Sequence, residues 1–261
     1  MKRYLFSVVA MVPMMVLLLN VPGQAGDKKA SAWKAFLPID SYIELNARSR
    51  KIIKEAVKSD DKNAKARIWL EFAFQEGYML SLNWAGERTA KSREAVLAAR
   101  KKELKELAEF GATIPVVPKR ELEEFKTPLP PLADLMEIFR PRAKGGEELH
   151  ADLQYVPKLK NQGIGALIGT LQAKKISEAN LAKIAKELPN LAYRIAVVAS
   201  LTHELAPAKG AGEWRDLSIK MRDASIALAD AAQKKNADGV FTAAQSLESS
   251  CTQCHSAFKG K

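Results

Sequence analysis

Cys251-Thr252-Gln253-Cys254-His255 is the stretch of this chain whose residue types and spacing most clearly do chemistry. Two thiols three positions apart share one face of a helix. Such a pair can add across the two vinyl groups of a single haem, and a histidine immediately after the second thiol can present its imidazole to the iron. His255 also lies four positions beyond Cys251, so it can point back at the same ring. The spacing therefore predicts one covalent haem c, held by Cys251 and Cys254, with His255 as the proximal iron ligand.

Three other readings use the same residues. A redox-active disulfide of the thioredoxin kind needs a strand leading into the motif, and none is visible there. A zinc site would have to recruit His150 and His203 from distant segments. A chance arrangement must explain why both cysteines of the chain fall inside the motif. With two cysteines and three histidines, disulfide scaffolds, multi-cysteine zinc modules and four-thiolate iron–sulfur clusters are excluded by count.

The compartment matters for such a cofactor. Lys2 and Arg3 precede an almost wholly apolar run from Tyr4 to Val21, and small residues follow at Gly23 and Ala25. This pattern reads as a secretory signal over residues 1–25, cleaved near Ala25, and places the mature chain in the periplasm. An uncleaved anchor is the alternative reading of the same run. No later stretch is apolar enough to span a bilayer. Loss of Lys2 and Arg3 takes the net charge from +11 to +9. Export makes nucleic acid an unsuitable partner for that charge. Acidic redox partner proteins or anionic head groups fit it better, and solvated helix faces account for it without any partner.

The elements that must position the motif are helices. No segment alternates with period two, and few residues are aromatic while Ala and Leu abound. Residues 42–59, 62–82 and 88–110 read as helices. Residues 112–131 then hold five of the twelve prolines and form the best boundary in the chain. A haem-free helical module is expected at 26–127, and a second module at 128–261. The second begins with Pro131 at a helix N-terminus, continues near 164–174, and has Ser177 as the N-cap of the next helix. There Leu181, Ile184, Leu188, Leu191, Ile195, Val198, Thr202 and Leu205 form one seam, with a kink expected at Pro189. Similar seams run through 213–235 and 238–259, and the last contains both cysteines. Three seamed helices with short joints predict a left-handed antiparallel bundle. The two halves share a rhythm of Ala- and Lys-rich helices, which reads either as a duplicated module or as common composition.

A Cys-x-x-Cys-His near the C-terminus, on the last helix of a bundle and followed by Phe258-Lys259, resembles the cytochrome c′ family, including its low-spin relatives. The resemblance covers about residues 130–261. It implies an all-α fold with a C-terminal four-helix-bundle-like haem module. It matches Cys251 and Cys254 to the thioether positions and His255 to the proximal ligand. It also implies a distal residue from an early helix, for which Met136 is the candidate sixth ligand, with Phe139 or Leu135 as alternatives that block the distal face. Family members are often dimers, so a homodimer is one expected assembly. The chain departs from the family in its extra N-terminal module and in Pro141 and Gly145-Gly146, which interrupt the first helix.

His150 and His203 read as turn or surface histidines, with bis-histidine ligation the less supported alternative. Arg194 and Arg222 are candidates to meet the haem propionates. Trp69, Phe72, Phe74 and Tyr78 are too many for one stripe and read as core on two faces of one helix, or as a docking face. No paired carboxylates or nucleophile–base pair stand at catalytic spacing, so the chain is not read as an enzyme. The expected function is electron transfer. Gas binding of the cytochrome c′ kind and a haem-bearing interaction module of a redox complex are the alternatives.

Overall fold

Prolines mark the start of one helix, at Pro131, and a break between two others, ahead of Pro189. The computed structural model describes residues 33–59, 64–83, 129–141 and 149–258, with isolated positions at 94, 98, 144 and 146. All of these belong to a unit running from Ala32 to Lys261. The expected signal at 1–25, nearly all of the helix at 88–110 and most of the proline-rich joint lie outside the described residues. Among those described, the chain is all-α. The helices are α1 (Ile39–Val57), α2 (Ala64–Leu80), α3 (Leu132–Glu137), α4 (Ile164–Ala173), α5 (Glu178–Ile184), α6 (Glu187–Glu204), α7 (Ala211–Gln233) and α8 (Ala237–Phe258). A lone parallel bridge joins Leu37 to Leu82. Among the described residues, no helix is long and apolar enough to cross a membrane.

The expected starts and stops are visible. Pro131 precedes the first residue of α3, and the Ser177 side chain accepts from the Asn180 N–H at the start of α5. One expectation is corrected. The long helix through Pro189 is not merely kinked there but divided one turn earlier, between Ile184 and Glu187. The reason is steric. A proline ring clashes with the carbonyl four residues before it, here that of Ala185, and offers it no N–H. Pro189 is tolerated because it sits in the first turn of α6, where N–H groups have no helical acceptor in any case.

Three helices at the C-terminal end form antiparallel neighbours, α6 with α7 and α7 with α8. The α6–α7 pairing is fixed near both ends. The Trp214 indole donates to the Thr202 carbonyl (2.7 Å), and the Gln233 amide donates to the Tyr193 hydroxyl (3.1 Å). α4 packs along α8, with Lys175 paired to Asp238 where α4 ends and α8 begins. A close backbone approach sets the place of α3. A Cβ on Gly163 would lie 2.2 Å from the Arg140 carbonyl oxygen, and the Gly165 N–H donates to the Phe139 carbonyl (3.0 Å). The end of α3, and Met136 with it, is thereby fastened to the start of α4.

α1 and α2 pair with each other and lie on α6. Phe74 and Tyr78 of α2 are fully buried, while Phe72 packs with Ile53 and Ile68 in a small separate cluster. α2 thus buries aromatic residues on two faces. One hydrophobic core runs from Tyr42 and Phe74 through Leu135, Leu167 and Val198 to Leu228 and Leu247. Helices from both sides of the proline-rich stretch share it. α6 lies at its centre, with every residue from Glu187 to Thr202 buried.

A charged pair lies fully buried within this core. Arg194 of α6 donates to both carboxylate oxygens of Glu71 (2.6 and 3.2 Å) and to the Tyr78 hydroxyl (2.7 Å). Ser49 of α1 donates to the same carboxylate (2.6 Å), and the guanidinium lies 4.0 Å above the Phe74 ring. The forked geometry satisfies both groups at once, which a buried pair requires.

Candidate functional site

α8 carries the motif on its last two turns. Its seam residues Val240, Ala244 and Leu247 are buried, and the same stripe continues to Cys251 one turn later. Cys251 is partly buried and packs on the core, as do Met136 of α3 and Phe139 just beyond it. Cys254, a further turn on, is also partly buried. Both thiols are free. The His255 ring is exposed.

Electrostatics separate the two thiols. Burial, and then the Glu248 carboxylate, push the Cys251 thiol up to about 11. The Cys254 thiol is raised by burial and by Glu213 of α7. Both are therefore protonated thiols at neutral pH in this folded arrangement, and Cys251 holds its proton hard. Chemically, α8 offers two sulfur atoms on a half-open helix face with a solvent-facing imidazole beside them. That donor set fits covalent haem attachment with axial ligation by His255. Haem would supply an iron that gains and loses one electron.

The remaining candidates are distributed as follows. His203 ends α6, mostly buried, with its Nδ1 lacking a hydrogen bond and the Glu204 carboxylate 3.4 Å away. His150 stands beside Asp152 and Glu187 (3.4 and 4.0 Å), and the three could hold a metal ion by proximity. Arg48 already donates to the same Glu187 oxygen at 3.2 Å. Among the described residues, no metal-competent group of three or more side chains includes either cysteine. The zinc alternative built from both cysteines with His150 and His203 therefore has no site here.

Arg194 does not face a cofactor edge. It is consumed by Glu71 and Tyr78 in the core. Arg222 is buried on α7 with its Nε on Asp223 (3.0 Å). Met136 is half-buried on α3.

Sequence reasoning missed the residues that surround the end of α8. Trp214 was visible only as a seam residue, yet its indole meets the Phe258 ring edge-on, with centroids 5.1 Å apart. The signal for this corner was Gly210 standing directly before a helix. Compared with family models, curated proteins and solved structures, the chain matches none of them.

Proposed function

We propose that this chain is an exported monohaem c-type cytochrome that transfers electrons in the periplasm. Its haem module would be a four-helix bundle of α4, α5–α6, α7 and α8. The observation that carries the reading is the donor set on α8. Two free cysteines lie three positions apart on one helix, with an exposed imidazole directly after them. Cys251 and Cys254 would hold the group through thioethers, and His255 would ligate its iron. Holding the porphyrin against a helical core would keep reorganisation on electron transfer small, while an open His255 side leaves an edge near solvent for a partner. The basic net charge favours acidic partner proteins. Met136 is proposed as the distal ligand, since α3 is fastened to α4, which runs along α8.

The experiment is a denaturing gel stained for haem, with absorption spectra of the oxidised and reduced protein. Wild type should stain, and Cys251→Ala with Cys254→Ala should not. An unstained wild-type protein, exported with its own leader, sinks the reading. Met136→Ala should abolish a sulfur-to-iron charge-transfer band and admit carbon monoxide. A wild-type protein that is already high-spin would favour gas binding instead, with Met136, Leu135 and Phe139 as distal packing.

A further inference from the structure

The corner between α6 and α7 forms a socket, and Phe258, the last residue of α8, fills it. Its ring meets Trp214 at an interplanar angle of 83°. A Cβ on Gly210 would stand 3.0 Å from the Phe258 Cε1, and Gly210 has a φ of +78°. Space and backbone therefore both call for glycine at that position. Trp214 is itself fixed, because its indole N–H is committed to the Thr202 carbonyl. The wall of the socket is thus anchored to α6, the most buried helix of the molecule.

The turn that Phe258 closes contains Cys254 and His255. The last carbonyls of a helix lack intrahelical donors, and a terminal turn frays unless something ties it down. Cys251 is held by the core one turn earlier. His255 has no such support, since its ring is exposed. The Phe258 plug ties down the end of the turn on which it rides.

We infer that Trp214, Gly210 and Phe258 are positioning residues, which seat the last turn of α8 and so hold the His255 imidazole in register with the group attached at Cys251 and Cys254. This role rests on the haem reading above. An axial ligand is sensitive to small rotations of its helix, because the imidazole must meet iron along one direction while two thioethers fix the ring.

The test uses full-length protein carrying Phe258→Ala, Gly210→Ala or Phe258→Tyr. Leu228→Ala, buried on α7 away from the socket, serves as a variant that only lowers stability. Two readouts are followed in each, amide exchange at residues 254–258 and the hyperfine-shifted proton signals of the His255 ring. Phe258→Ala and Gly210→Ala should stain for covalent haem, exchange roughly tenfold faster at 254–258, and displace the ring signals. Phe258→Tyr should restore both readouts. Leu228→Ala should move neither. Unchanged exchange and ring signals in Phe258→Ala and Gly210→Ala overturn the positioning role, as does an equal displacement in Leu228→Ala. An unstained wild type is the separate signature of a failed haem reading.

Discussion

Replacing Glu71 by Gln removes one charge from the centre of the core and leaves its shape intact. Arg194 and Glu71 are 1% and 3% exposed at their side chains, so neither can turn to water for compensation. After the substitution, the guanidinium keeps the Tyr78 hydroxyl and the Phe74 face but loses the Glu71 carboxylate charge. A buried charge stripped of its partner costs about 3–5 kcal/mol, a large part of the roughly 5–15 kcal/mol that holds a domain together. The urea midpoint, followed by helical circular dichroism, should fall accordingly, and the thermal midpoint by roughly 10 °C. The double variant Glu71→Leu with Arg194→Met removes both charges and keeps the volume. It should recover most of the loss, because the pair was costly to desolvate in the first place. A Glu71→Gln cost below about 1 kcal/mol would mean that solvent reaches the pair. A double variant as unstable as the worse single one would mean that packing of these side chains, rather than charge, holds α2 on α6.

Two further outcomes follow from local geometry. In haem-free protein, the Cys251 thiol ionises near 11 when folded and near 9 in an exposed chain. Between those pH values the unfolded state sheds a proton that the native state keeps. Stability should therefore fall as pH rises from about 9 to 11, by at most about 2–3 kcal/mol. Urea midpoints against pH should show this extra fall for wild type and not for Cys251→Ala, and parallel curves would refute the burial of the thiol. At Gly77, a Cβ would stand 2.5 Å from Val197 Cγ1. Gly77→Ala should cost about 1–3 kcal/mol despite its better helix propensity, and adding Val197→Ala should return part of it in the same unfolding assay.

Much of the helix plan was legible because seams announce themselves. Val240, Ala244, Leu247 and Cys251 mark one face of α8 without any knowledge of its neighbours. So do Leu188, Leu191, Ile195 and Val198 on α6. The opposite face of α6 was not legible. Arg194 and Val197 lie off the seam, and they meet α2, about 120 residues earlier in the chain. For the same reason Arg194 was a candidate to meet the haem propionates, whereas in the fold its partner is Glu71. Local pattern reports which residues want cover, and only the tertiary arrangement reports what else has been covered. The motif on α8 could be read directly because its chemistry depends on spacing alone. The corner of Gly210, Trp214 and Phe258 could not, since it joins residues 44 and 48 positions apart through contacts with no periodic trace.

The complete burial of α6 has an outcome for how sequence can vary. A helix with a wet side tolerates change in a rhythm, with permissive positions returning every third or fourth residue. α6 has no wet side from Glu187 to Thr202. In a library that samples every substitution, α7 and α8 should show that rhythm, and α6 should not. It should appear as an unbroken trough about sixteen positions wide, flat where its neighbours ripple, with polar and charged replacements failing at nearly every step. Variation in this protein would then be channelled to the outer helices, around one segment with almost no freedom to drift.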